Sequence, residues 1–141
     1  MRQWRVRTMK PIGKLKKELD KWYSLYIRTK DIDKNGWTEC YTCNKRAHYK
    51  RMHNGHFISR KYLSTRYLDA NCKVQCPGCN VFKYGNIYLY SKRLGPKLSE
   101  ELYLKSKETL KIMRHEYEEL ITYYKKAVNK ILAKISNSTD K

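Results

Sequence analysis

No apolar run in this chain approaches the roughly 20 residues that span a bilayer. A water-soluble protein is the resulting expectation. The opening residues, MRQWRVRTMK, are basic, but no apolar core and no small-residue cleavage site follow, so they do not resemble a secretory signal. A cytoplasmic location is expected. Internal repeats and low-complexity segments are missing as well, which leaves 141 residues for one compact domain with a helical extension. Acidic residues are scarce: 13 Asp and Glu face 32 Lys and Arg, a formal charge of +19. Solubility alone does not ask for that much charge, and a polyanionic partner does. The basic residues run from Arg2 to Lys134, interleaved with 13 tyrosines and 3 tryptophans. A folded face turned toward phosphates is therefore expected, with nucleic acid favoured over a membrane surface.

Residues 1–13 read as a basic arm. From Lys14 to about Lys30, Leu15, Leu19, Trp22 and Tyr26 share one helical face, which predicts a first helix. Turn formers at Asp31-Ile32-Asp33-Lys34-Asn35-Gly36 end it. Asp31, Asp33, Asn35 and Gly36 also match the opening of a calcium-binding loop, but Thr42 stands where the bidentate Glu is required, so calcium sensing is rejected. Between Trp37 and Val81 lie short β-prone pieces, WTECYTC, HFIS and CKVQC. The stretch Cys79–Arg93 has helical character weakened by Gly85, and Gly95-Pro96 breaks the chain. Beyond it, Ser99 suits an N-cap. Steps of three and four through Leu110, Met113, Tyr117, Leu120, Tyr124, Val128, Ile131 and Ile135 predict a long amphipathic helix. That stripe can pack on the first helix, which is the favoured reading, or form a homodimer seam. The end, SNSTDK, is expected to fray.

The five cysteines lack the oxidising setting that disulfides need, which turns attention to metal. Cys40-Tyr41-Thr42-Cys43 and Cys76-Pro77-Gly78-Cys79 are two C-x2-C pairs, separated by residues 44–75. Two intervening residues let both sulfurs of a tight turn face one ion, and two such turns complete a tetrahedron of thiolates around Zn2+. A closed four-thiolate site is structural, and here it stands in for a hydrophobic core. Cys72 is left over as a buried thiol near the site.

Between the pairs sits His53-Asn54-Gly55-His56-Phe57, then Asn71, and Asn80 follows the last cysteine directly. Hydrolysis of a phosphodiester with one metal needs a base to activate water and hard donors to hold an ion such as Mg2+ or Mn2+. The arrangement resembles the HNH nucleases, whose centre is a ββα-metal motif. That resemblance implies His56 as the base, Asn71 as the residue orienting its imidazole, and Asn80 as a metal ligand. It also exposes a gap, because Gly55 occupies the position where many relatives carry a ligand. His53 is the nearest replacement, with Asp69 and Asn86 as further options. His48 and His115 take structural readings. Arg51, Arg60, Lys61, Arg66, Lys73 and Lys83 are candidates for phosphate contacts.

Taken in order, Tyr26 to Gly36, Cys40-Tyr41-Thr42-Cys43, Gly55-His56-Phe57-Ile58, Gln75 to Asn80 and Gly85-Asn86 are similar to the NinG/Rap family of phage recombination proteins. The likeness covers about Lys14 to Tyr90, and Gly before the histidine belongs to the family pattern. It implies an endonuclease acting on branched DNA such as Holliday junctions. The expected fold is thus α+β: a zinc-stapled ββα-metal centre within residues 14–95, flanked by an N-terminal helix, with a helical extension over 96–141. Two other readings share the cysteines and the charge: a non-catalytic zinc-containing DNA-binding or structural protein, and a helical dimer serving as a scaffold.

Overall fold

The computed structural model describes residues 9–139, with the backbone alone for 136–139. The basic arm expected over 1–13 therefore falls mostly outside the described residues. So do the last two residues of the end expected to fray, which is helical as far as Thr139.

Helix α1 (Ile12–Thr29) buries Leu15, Leu19, Tyr23 and Ile27, spaced by four so that they form one stripe along the axis. Strands β1 (Trp37–Glu39) and β2 (Arg46–His48) pair antiparallel, Thr38 opposite Ala47. The first cysteine pair forms the turn between them. Asn44 closes that turn in a left-handed conformation (φ 66°) and donates to Cys40 O at 2.9 Å. Strand β2 was not foreseen, being only Arg46-Ala47-His48. The turn before β1 is capped by Asp33, whose Oδ1 accepts from the backbone of Asn35 and Trp37.

Strand β3 (His53–His56) begins earlier than the HFIS piece suggested and pairs antiparallel with β4 (Cys72–Gln75). The loop between them carries the single turn α2 (Leu63–Arg66). Strand β4 delivers the second cysteine pair, and Tyr41 N donates to Val74 O at 2.8 Å, tying the two cysteine turns together. A five-residue π-helical turn, Gly78–Phe82, follows. The continuous helix expected over Cys79–Arg93 is interrupted there: Tyr84, Gly85 and Asn86 all have positive φ, and α3 (Ile87–Leu94) starts only after them.

Helix α4 (Pro96–Ser106) starts with Pro96 directly after Gly95, so Ser99 is not its N-cap; Ser99 Oγ instead donates to Ser91 O. Helix α5 (Arg114–Thr139) opens later than the stripe implied, leaving Leu110 and Met113 exposed in the preceding link. Its apolar face lies on α1: Tyr117 and Ile121 cluster with Leu15 and Leu19, and Tyr124 meets Tyr23 edge-on at 5.0 Å. The middle of the stripe, Tyr117 to Val128, is thus covered within the chain, whereas Leu110 and Met113 are not. Among the described residues no helix is long and apolar enough to cross a membrane.

Candidate functional site

The thiol sulfurs of Cys40, Cys43, Cys76 and Cys79 lie within 4.8 Å of one another, a group that can hold a metal ion. Their environment is uneven. Burial works against ionising Cys40, but hydrogen bonds from the Thr42 hydroxyl and nearby backbone N–H groups outweigh it and bring the thiol down to about 6. Burial and the neighbouring sulfurs push Cys43 up to about 12. One thiolate in the group makes the next harder to form, and a cation at the centre removes that conflict. Cys72 stands apart, fully buried beside α1, with burial raising it to about 12.

A cleft of about 650 Å³ opens between α1, β3 and the turn carrying Asn80, lined among others by His53, Asn54, His56 and Asn80. His56 Nε2 lies 2.9 Å from Arg66 O. A carbonyl can only accept, so Nε2 carries the proton and Nδ1 keeps its lone pair. Burial lowers the pKa of His56, the bond to the Arg66 carbonyl opposes it, and the positive Arg60 and Arg66 add to the lowering, a balance that favours the neutral ring.

Asn71, expected to orient this imidazole, makes no direct side-chain bond to it. Asn71 is fully buried and bonds to backbone alone: its Oδ1 accepts from Ile58 N, and its Nδ2 donates to Ile58 O and Thr65 O. It holds both sides of the β3–β4 loop and so fixes Arg66, whose carbonyl meets the ring.

Asn80 Nδ2 approaches His53 Nδ1 at 3.0 Å. Of the three replacements considered for a ligand at Gly55, His53 is the one in the cleft. Asp69 is bonded to Tyr23 Oη at 2.7 Å, and Asn86 Nδ2 is directed to Cys79 Sγ at 3.5 Å. Gly55 itself has a packing reason: a Cβ there would collide with the side-chain amide of Gln75. That buried amide donates to Thr42 Oγ1 and Gly85 O, joining β4 to both cysteine turns. No side chain, ligand or otherwise, fits at position 55 while Gln75 holds this place.

The basic candidates separate. Arg60 lines the cleft. Arg66 is engaged within the chain: its Nε and Nη2 bond Asp20 at 2.9 and 2.5 Å, and its side chain is only 13% exposed. Lys73 faces a different hollow beside Tyr41 and Val74. Arg51, Lys61 and Lys83 are exposed outside the cleft lining. His48 accepts from Lys50 N within its own turn, and His115 is exposed on α5.

Sequence reasoning missed Asp20, Ser24 and Arg28, three cleft residues of α1. Arg28 is half-buried, bonded to Ser24 Oγ and Tyr49 O, and has no carboxylate partner among the described residues. Burial without a counter-ion lowers its pKa and makes an anion welcome beside it. A signal was present: the three are spaced by four, a polar stripe beside the apolar one. The wider charge pattern agrees, since residues 40–99 hold twelve Lys and Arg and a single carboxylate, Asp69.

No curated protein and no solved structure matches this chain. A family model described as "NinG: Bacteriophage Lambda NinG protein" matches residues 1–134, and on that span the chain belongs to the NinG family.

Proposed function

We propose that this protein is a metal-dependent endonuclease that hydrolyses DNA phosphodiester bonds, with Zn2+ held structurally by Cys40, Cys43, Cys76 and Cys79. The observation carrying the reading is His56: a neutral imidazole whose Nε2–H is engaged by Arg66 O, with Nδ1 left as a base in a cationic cleft. In this role Nδ1 takes a proton from water as the water oxygen bonds to phosphorus, and the bond from phosphorus to the leaving oxygen breaks. Arg28 and Arg60 hold the phosphate's charge. The β3–β4 pair and the turn bearing Asn80 suit the HNH-like ββα-metal plan that the sequence resembles.

The same reading assigns a divalent ion to this cleft. Asn54 borders the cleft, and its Oδ1 is buried without a hydrogen-bond partner. His53 and Asn80, now hydrogen-bonded to each other through Nδ1 and Nδ2, would add imidazole and amide donors on exchanging that bond for an ion, a set that suits Mn2+ better than Mg2+. Bound there, the ion would stabilise charge on the phosphate and the leaving oxygen. Branched DNA, Holliday junctions included, is the substrate that the family resemblance implies.

A second reading, a zinc-containing DNA-binding protein without catalysis, draws on one observation. The cleft's one carboxylate, Asp20, is already committed to Arg66 and Tyr67. Incubation of zinc-loaded protein with four-way, forked and linear DNA, with Mg2+ or Mn2+, separates the two. Metal-dependent cutting is expected, slowed by roughly 10²- to 10⁴-fold in His56→Ala, the range for loss of a general base. Cutting at an unchanged rate in that variant removes His56 from the role, and binding without cutting under every condition supports the second reading.

A further inference from the structure

The link between the second cysteine turn and α3 displays side chains that no core uses. Phe82 is 80% exposed and Tyr84 89%. Both lie on a backbone that is firmly tied. Lys83 N donates to Gly78 O, Gly85 N to Cys79 O, and Gln75 Nε2 to Gly85 O, at 3.0, 2.9 and 2.8 Å. Tyr84 is held at φ 50°, a left-handed conformation that disfavours a side chain of its size, and Gly85 and Asn86 continue at 89° and 48°. Strain of this sort persists where the surroundings enforce it, and here it sets the Tyr84 ring in the lining of the cleft, with the exposed Phe82 two residues before it.

The charge around the rings indicates what covers them. Lys83 sits between them in sequence, and the whole segment 40–99 has Asp69 as its single acid, itself bonded to Tyr23. A second copy of the chain would bring the same positive face and be repelled. Nucleic acid combines phosphates with flat apolar faces, and those faces are available for stacking where bases are unpaired.

We propose that Phe82 and Tyr84 form an aromatic wedge at the cleft mouth that stacks on unpaired bases, so that the favoured ligand is DNA with single-stranded nucleotides beside a duplex. The inference rests on the reading of the cleft as one that engages DNA for cutting. Aromatic residues inserted at base steps act in this way elsewhere, holding an opened site at the cost of local unstacking.

The test is fluorescence anisotropy of full-length, zinc-loaded protein without added divalent ions, on one labelled duplex with and without a single-stranded arm. Phe82→Ala combined with Tyr84→Asn removes the rings, and Asn tolerates the left-handed backbone at 84. Zinc content and circular dichroism establish that the variant is folded. The expected result is a preference for the armed duplex that drops by on the order of tenfold or more, the effect of losing a stacked base, with plain-duplex affinity nearly unchanged. Phe82→Trp with Tyr84→Trp is expected to retain the preference, and Lys83→Ala to weaken both DNAs alike. Equal losses on both DNAs, no loss on either, or a dimer that dissociates in the ring-free variant would each overturn the wedge. Cutting in Mn2+ is followed on the same preparations. Cutting without altered selectivity defeats the wedge alone, whereas altered selectivity in a protein that never cuts defeats the nuclease reading alone.

Discussion

The α1–α5 pair and the cysteine-containing centre are held together by different means. Between the helices, Leu15, Leu19, Tyr117 and Ile121 remove apolar surface from water, which is enough to fix two long amphipathic elements. The centre has strands of three or four residues, and its buried cluster is Met52 with three of the four grouped cysteines. Its other buried side chains include Thr38, Thr42, Asn71 and Gln75, polar groups that an apolar core would exclude. This difference sets where the cleft lies. A backbone fixed by hydrogen bonds can present polar side chains in set positions, and the helix pair supplies the wall against which they are set.

Metal removal breaks the comparison most strongly. Structural zinc contributes on the order of 10 kcal/mol to small domains, so chelation or Cys76→Ala is expected to unfold residues 37–86 while α1 and α5 retain much of their helical signal. Hydrogen exchange checks this segment by segment. Unchanged protection of β3 and β4 after metal release would show that the centre does not depend on its cysteines. The converse probe is Leu19→Ala, which leaves a cavity in the helix pair and is expected to cost about 2–5 kcal/mol, read by thermal melting. Metal stoichiometry should stay at the wild-type value; a parallel loss of metal would mean that the two regions stand or fall as one.

Asp20→Asn tests the joint between them. Asp20 belongs to α1, while its partner Arg66 belongs to the loop whose carbonyl holds His56. The pair is mostly shielded, with side chains 24% and 13% exposed. Leaving Arg66 without its counter-charge is expected to cost about 3 kcal/mol and to reduce cutting by loosening His56. A melting curve that overlays the wild type would show the pair to be dispensable.

Much of this organisation was legible in the sequence, to an extent set by how local each signal is. The four cysteines were readable because metal chelation fixes their spacing, and α1 because its apolar residues recur every helical turn. Strand β2 was not, since Arg46-Ala47-His48 carries no pattern and exists through pairing with β1. The late start of α5 was hidden by Leu110 and Met113, which continue the periodicity through a non-helical link. The partners of Asn71 were not legible either, because no spacing tells which carbonyl a buried amide will meet. Gly55 looked like a missing ligand, and the reason for it is the side chain of Gln75 across the strand pair, a tertiary contact outside any local motif.

The smallest effect concerns protons. In the unfolded chain His56 titrates near the ordinary histidine value of about 6.5, and in the folded cleft burial and the charges of Arg60 and Arg66 place it lower. Between those two values the unfolded chain binds more protons, so stability rises with pH across the window. His56 thus contributes in full above the unfolded value, and its contribution falls away as pH drops below it. The same ring must be neutral to take a proton from water, so the acidic limb of the cutting profile should also have its midpoint below the ordinary value. Arg60→Gln removes one of the positive neighbours and is expected to move that limb toward higher pH. A limb that stays in place in Arg60→Gln, or one centred above the ordinary value in the wild type, would mean that a group other than His56 governs the reaction. The helix pair offers an internal control. It buries no histidine, so Leu19→Ala should shift overall stability without moving the acidic limb.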